Sequence, residues 1–506
     1  MHGPVCGTAE YNLLMILRRF PAIAVLALPI LLIACGTAPA IEPTKDLVPT
    51  WTVPPLSTIP WTTETPPEVL LPSTWPLSSS GPWLVYRAED GLVVANPDGT
   101  GRTLLLEGQG LGPARLYNFD EIASPSGGWL AVYTFDDPEA LIGPSLQIVH
   151  VPDGLAVWTT RLLSEEIEAE IAGGAQPGSP AMQAADAVNM PGALAWSPDG
   201  KRLAFTAALD GPSSDIYLYD LAKAQVLHVT GGPNQIASLS WSPDGQWIAH
   251  QAVKGFGSSA GWIMGSVWTV SPDGRQLNKL YEPESGGEVF VGWSEGNSLI
   301  SYSFSADGPH DLRAAGADSG IDTVLVPTYF SSAAYTSREG VVAYAVPGAM
   351  TYTGAEPGAY LWHPVWGPPR QVDAGDWDYV QWAPASGRFY FEGPSGVLAV
   401  APDGDSIAKF AVVDRVSPSP DGDYVVLWGD GYFDRDTDLK LFTADLEEIK
   451  TLASGDFSVV SWRPDSAGVM TMGEAGLEYH PLDGPPTWID ASAMAGFEGG
   501  LGWVSR

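Results

Sequence analysis

Leu194-Ala195-Trp196-Ser197-Pro198-Asp199-Gly200-Lys201-Arg202-Leu203-Ala204-Phe205 returns as Leu239-Ser240-Trp241-Ser242-Pro243-Asp244-Gly245-Gln246-Trp247-Ile248-Ala249. Pro presets φ at the second turn position, Asp bonds its own backbone and Gly accepts a positive φ, so each copy reads as a hairpin between antiparallel strands. Degenerate copies stand at Ser124-Pro125-Ser126-Gly127, Trp293-Ser294-Glu295-Gly296, Tyr335-Thr336-Ser337, Trp382-Ala383-Pro384, Ser419-Pro420-Asp421-Gly422 and Trp462-Arg463-Pro464-Asp465. Positions 196, 241, 293, 335, 382, 418 and 462 are spaced by 45, 52, 42, 47, 36 and 44 residues. A period near 40 to 45 with four short strands per unit predicts the blades of an all-β propeller.

Between Ala123 and Trp196 the interval stretches to 73 residues, and removing the 29 residues 164–192 restores 44. That segment is expected to be a partly helical insertion, replaceable by a short linker without loss of folding. Trp503 continues the period 41 residues past Trp462, in a strand with no partners after it. Residues 82–107 carry later-blade strands and no opening strand. The two ends are therefore expected to share one blade, which removes exposed sheet edges. This count gives nine blades; eight is the alternative, because the copies near Tyr335 and Ser419 are weak.

Gly 57 and Pro 45 supply many turns, while 45% hydrophobic residues and 20 Trp supply a large core. A formal charge of -35 repels a phosphate backbone, which excludes nucleic acid as a natural partner. The only cysteines, Cys6 and Cys35, exclude a disulfide framework and a multi-thiolate zinc site.

Fifteen uncharged residues, Phe20 to Ala34, follow Arg18 and Arg19. The run is short for a bilayer span and fits a secretory signal over residues 1–34, with Met15 a candidate true start. Leu32-Ile33-Ala34-Cys35-Gly36 resembles the lipobox of bacterial lipoproteins, and the resemblance implies lipidation of Cys35. Residues 35–80 are rich in Pro and Thr and read as a tether. The propeller domain is expected over 81–506.

The WSPDG strand-turn-strand, followed by Asp215-Ile216-Tyr217-Leu218-Tyr219-Asp220, resembles the TolB-type, WD-like propeller repeat. The resemblance implies the fold and carries no catalytic set, since such propellers serve as envelope binding proteins, as subunits and as domains of peptidases.

Further tight turns, Asn96-Pro97-Asp98-Gly99, Val151-Pro152-Asp153-Gly154, Ser271-Pro272-Asp273-Gly274 and Ala401-Pro402-Asp403-Gly404, join third to fourth strands. In a four-stranded meander they share a face with the WSPDG turns. The opposite face receives loops 134–145, 207–214, 253–265, 347–358 and 429–438, together with the insertion. These loops carry Phe256, Trp262, Tyr352, Tyr432 and Phe433 beside Asp136, Asp137, Asp210, Glu356, Asp430 and Asp434. Aromatic faces beside carboxylates suit cationic peptides or sugars; the competing reading, favoured on composition, is that the aromatics pin loops and the acids keep the surface soluble.

Gly292-Trp293-Ser294-Glu295-Gly296 and Gly257-Ser258-Ser259-Ala260-Gly261 match G-x-S-x-G, but one is a degenerate hairpin and the other a loop, not a nucleophile elbow. Asp434, Asp436 and Asp438 have the alternate spacing of a calcium loop, with Leu439 where the EF-hand pattern needs Gly; a solvated acidic loop is favoured over calcium. The seven histidines are scattered and read as structural. The expectation is a non-enzymatic, lipid-anchored, extracytoplasmic binding or scaffold module of a bacterial envelope, needing no cofactor, meeting the membrane through its anchor only and binding envelope proteins, peptides or glycans. The alternative is a peptidase-like or carbohydrate-active enzyme with its site at the central channel.

Overall fold

The computed structural model describes residues 77–505 apart from 112–118, 139, 191, 256–261, 283–286, 305–310, 321, 328–329, 337, 349–354, 405–406, 411–414, 430–437, 456, 474 and 494–500. Cys35, the signal and most of the tether lie outside the described residues. Within them the strands form nine antiparallel sheets, eight of four strands and one of three, arranged as a nine-bladed propeller. The count of nine is the one given by the Trp period.

Ring closure is as the period requires. The closing strand, Leu501–Val504, pairs antiparallel with β1 (Trp83–Ala88), Trp83 opposite Val504 and Tyr86 opposite Leu501. The same sheet continues through β2 (Gly91–Ala95) and β3 (Thr103–Glu107). Blade one is thus built from both ends of the chain. Contacts begin slightly before residue 81, since Ser78 N donates to Asn96 Oδ1 and the Trp83 indole donates to Ser78 O, each at 2.8 Å.

The second blade departs from the expectation of four strands. It holds β4 (Trp129–Thr134), β5 (Ser145–His150) and β6 (Leu155–Arg161), and its axial position is taken by a helical turn, α1 (Phe119–Ile122), and a single bridge between Ala123 and Leu130. Phe119 and Ile122, three apart, fall on one helical face and are both buried. A Cβ added to Gly502 would lie 2.2 Å from the Phe119 ring, so the glycine of the closing strand admits this aromatic.

In the third blade, β7 (Leu194–Trp196), β8 (Arg202–Ala207), β9 (Asp215–Asp220) and β10 (Gln225–His228) form a simple meander. Its turn shows why the motif has its composition. Ser197 Oγ donates to Asp199 Oδ1 at 2.6 Å and accepts from Arg202 N at 3.0 Å, Lys201 N donates to Asp199 Oδ1 at 3.2 Å, and Gly200 sits at φ +66°. The next turn repeats these bonds with Ser242 and Asp244.

The repeating Trp joins blades. Trp241 Nε1 donates to Ala195 O at 2.9 Å, Trp462 Nε1 to Ser417 O at 2.9 Å, Trp293 Nε1 to Ser240 Oγ at 3.0 Å and Trp196 Nε1 to Ile122 O at 3.1 Å. Each indole reaches the axial segment of the preceding blade. The core follows the same geometry, as a set of seams between neighbouring sheets: Ile216 and Leu218 of the third blade meet Ile236, Trp241 and Val270 of the fourth. Sheets covered on both faces need apolar residues on both, which is why the middle strands are buried throughout, as in Val342–Val346 and Gly396–Val400.

Candidate functional site

Alternation of strands sends first-to-second and third-to-fourth turns to one face and everything else to the other. The tight turns of the first face lock onto one another: Ser126 Oγ donates to Asp199 O at 3.1 Å, Asn297 Nδ2 to Asp244 Oδ2 at 2.6 Å, and Asp421 N to Ser466 Oγ at 3.0 Å. The opposite face carries the loop after β8 and the insertion before β7.

Two capped helices make up the insertion. Ser164 accepts from Ile167 N to start α2 (Glu165–Ala172), and Ser179 accepts from Met182 N to start α3 (Pro180–Val188), whose Pro180 suits a first-turn position. Ala181, Ala184, Ala187 and Val188 are fully buried. Met190 packs on Ala237 and Val253 of the fourth blade, and Gly192 N donates to Glu121 at 3.0 Å. The insertion is therefore part of the core between blades two, three and four, contrary to the expectation that a linker could replace it without loss.

Beside the insertion lies the loop that follows β8. Leu163 pairs with Ala208 in a parallel bridge, and Ser164 N donates to Ala208 O at 2.8 Å. From the other side Gln235, at the start of β11 (Gln235–Trp241), accepts from Ser214 N at 2.6 Å and donates to Pro212 O at 2.9 Å, while Ile236 N donates to Ser214 Oγ at 2.8 Å. Both ends of the loop are held, one by each neighbour.

This scaffold gathers Asp210, Asp215 and His228, with one donor atom of each lying within 4.8 Å of the others. Asp215 opens β9 and His228 closes β10, so antiparallel pairing brings them to the same end of the blade. His228 Nδ1 stands 3.6 Å from Asp210 Oδ2 and its Nε2 stands 3.7 Å from Asp215 Oδ2. The imidazole stacks on Tyr217 at a centroid distance of 4.7 Å, and Tyr217 OH donates to Asp210 Oδ1 at 3.2 Å. Thr230 Oγ1 donates to Asp215 Oδ1 at 3.2 Å. Burial lifts the Asp215 carboxyl to about 6 against the pull of His228. Burial draws the His228 imidazole down, and the two aspartates more than reverse this, leaving it raised. Asp210 is exposed, so the cluster opens to solvent at one side.

A second buried polar group lies between blades four and five. Tyr281 OH donates to Glu288 Oε1 at 2.7 Å and makes a short bond with Ser301 Oγ, while the Arg313 guanidinium stacks over the Tyr281 ring at 4.5 Å.

Of the residues singled out from sequence, Phe256, Tyr352, Tyr432, Phe433, Asp434 and Asp436 lie outside the described residues. Trp262 opens the strand Trp262–Val270, whose backbone pairs with Gly255. Asp438 opens Asp438–Thr443 and accepts from Ser454 Oγ. Asp136 is ion-paired to Arg161 at 2.8 Å. Ser294 Oγ accepts from Ser298 N at 2.9 Å, so this G-x-S-x-G serine shapes a hairpin turn as expected; Ser259 is outside the described residues. Of the cluster, only Asp210 had been singled out. Asp215 and His228 look like ordinary strand residues until the register places both at one end of one sheet, and counting outward from the intervening turn is the signal that could have paired them.

No family model matches the sequence, and neither does any curated protein. Among solved structures, a eukaryotic initiation factor is similar over 80% of this chain and 95% of its own, at 14% identity and a TM-score of 0.50. TolB from Acinetobacter baumannii matches 65% of this chain and 64% of its own at 16% identity and a TM-score of 0.29. The β-propeller domain of Myceliophteria thermophila Cps50 (Swd1) matches 57% of this chain and 96% of its own at 14% identity and 0.33. At such identities the likeness is one of fold.

Proposed function

We propose that this chain is a lipid-anchored, extracytoplasmic propeller of a bacterial envelope that captures protein, peptide or glycan partners on its long-loop face. The observation that carries the reading is the inequality of the two faces. One is a mesh of short turns bonded to one another; the other presents the 208–214 loop held between two neighbours, beside a helical insertion. Rigidly supported loops are the usual seat of recognition. A partner rich in Lys or Arg is favoured, because the chain carries 59 acidic against 24 basic residues. The lipobox-like Leu32-Ile33-Ala34-Cys35 supports the anchor, and the Pro/Thr-rich tether would hold the ring clear of the lipid.

The test is twofold. Wild-type protein should incorporate labelled palmitate and sediment with membranes, and Cys35→Ser should do neither; acylation of Cys35→Ser at the wild-type level would reject the anchor. In a pull-down from envelope extract, charge reversal at Asp136 and Asp210 should reduce capture, whereas charge reversal at Asp273 and Asp403 on the tight-turn face should not. A serine-hydrolase probe should leave the protein unlabelled, and covalent labelling would favour an enzyme instead.

A further inference from the structure

We propose that Asp210, Asp215 and His228 bind one divalent transition-metal ion of the zinc class on the long-loop face of the third blade. The proposal stands on different observations from the binding-module reading and does not depend on it. Two carboxylates and one imidazole are a donor set suited to Zn²⁺, Co²⁺ or Mn²⁺, while the nitrogen donor disfavours Ca²⁺ and Mg²⁺, which take oxygen ligands.

The geometry favours an ion over a simple ion pair. The gaps of 3.6 and 3.7 Å between imidazole nitrogens and carboxylate oxygens exceed hydrogen-bond distance. The two gaps lead to different imidazole nitrogens, of which one ion would take one; a donor atom from each of the three residues lies within 4.8 Å of the others, and a tetrahedral ion with bonds near ~2.1 Å would draw them to about 3.4 Å. The His228 side chain is only 5% exposed, and its Nε2 has no hydrogen-bond partner although it faces Asp215, itself 3% exposed. A buried polar nitrogen without a partner is costly, and coordination would satisfy it.

The surroundings are those of a supported site. Tyr217 and Thr230 bond to the two carboxylates at 3.2 Å, leaving oxygen lone pairs of each free to coordinate. Gln235 fastens the loop that carries Asp210 to the next blade. Asp210, at 47% side-chain exposure, is the side from which an ion enters and where water would complete the shell. Bound there, the ion would tie the 208–214 loop to the end of the sheet.

The full chain, stripped with chelator and dialysed, should be titrated with ZnCl₂ by calorimetry and with CoCl₂ by visible absorption. One saturable equivalent per chain is expected, with the intense visible bands of low-symmetry four-coordinate Co²⁺. His228→Gln should abolish the bands, and both His228→Gln and Asp210→Asn should weaken binding by at least about tenfold. Should His228→Gln fail to fold, the exposed Asp210→Asn remains a readable variant. Replacing Asp434, Asp436 and Asp438 together by Asn should leave the equivalent intact. Absence of a saturable equivalent, or wild-type affinity in Asp210→Asn, would overturn the proposal, as would loss of binding in the triple variant alone.

Discussion

Glu288 is 4% exposed at the seam between two blades, and burial pushes its carboxyl up to about 7, against the bonds from Tyr281 and the pull of Arg313. A carboxyl whose folded value is raised stabilises fully below its unfolded value of 4.5, and that contribution is lost as pH rises through about 7. Wild-type melting temperature should therefore carry a component that falls between pH 5 and pH 7.5, and Glu288→Gln should lack it. Parallel melting curves across this range for the two proteins would show that Glu288 does not titrate there. Turn aspartates act in the opposite sense. The Ser197 and Ser271 hydroxyls hold Asp199 and Asp273 below the usual carboxylate value, so their contribution is present above that value and lost only as pH falls below it.

Turns and helices show how much an element owes to its neighbour. Gly245 and Gly422 both have positive φ, at +68° and +81°, so alanine is strained at either. They differ in what surrounds them: a Cβ at 245 meets nothing nearer than an Arg202 guanidinium nitrogen at 3.4 Å, whereas one at 422 would lie 2.4 Å from the Ala385 and Ser386 backbone of the preceding blade. Gly245→Ala should cost about 1–2 kcal/mol and Gly422→Ala clearly more, as measured by urea unfolding. Equal losses would mean that the turn-to-turn mesh contributes little. The insertion obeys the same logic. Replacing residues 164–192 by a Gly/Ser linker removes Ala181, Ala184 and Val188 from the core cluster they share with Leu203 and Phe205 and uncovers what they covered, so the variant is expected to melt well below wild type and to bind an apolar dye. A native melting profile would make the insertion an appendage after all.

The whole ring depends on one four-residue strand. Deleting Leu501–Arg506 leaves β1 without its axial neighbour, unpacks Phe119 from Gly502 and opens the seam where Met470, Met472 and Leu477 meet Leu84, Tyr86 and Leu501. Several kcal/mol of stability should disappear, with aggregation through the freed edges, since one buried Leu or aromatic side chain alone is worth about 1.5–3 kcal/mol. Differential scanning calorimetry of the truncated chain checks this, and an unchanged transition would rule out closure by the Leu501–Val504 strand. A polar clasp supports the same seam: Tyr86 OH and Arg102 Nε both donate to Asp490 Oδ2, at 2.8 and 2.6 Å. Burial opposes ionisation of Asp490, yet these bonds and those from Ser492 hold it down at about 2, so the clasp persists to strongly acid pH.

The propeller fold, its closure and the sorting of turns to two faces were legible along the chain, because each follows from local chemistry repeated at a fixed period, while the weak copies near Tyr335 and Ser419 left eight blades open beside nine. Pro, Asp and Gly dictate a turn whatever surrounds it, and Trp marks most of the axial strands, with Tyr335 and Pro418 in its place in two of them. The second blade escaped this reading because Phe119–Ile122 takes its conformation from packing against Gly502, nearly four hundred positions away in sequence. The insertion's helices were foreseen in part, but their burial was not, since alanines carry no strong periodic signal. Asp215 and His228 were hidden for a related reason: their meeting depends on strand register and on Asp210 being held over them by two neighbouring elements. Local propensity thus determined the ring, while packing between residues distant in sequence decided what its long-loop face contains.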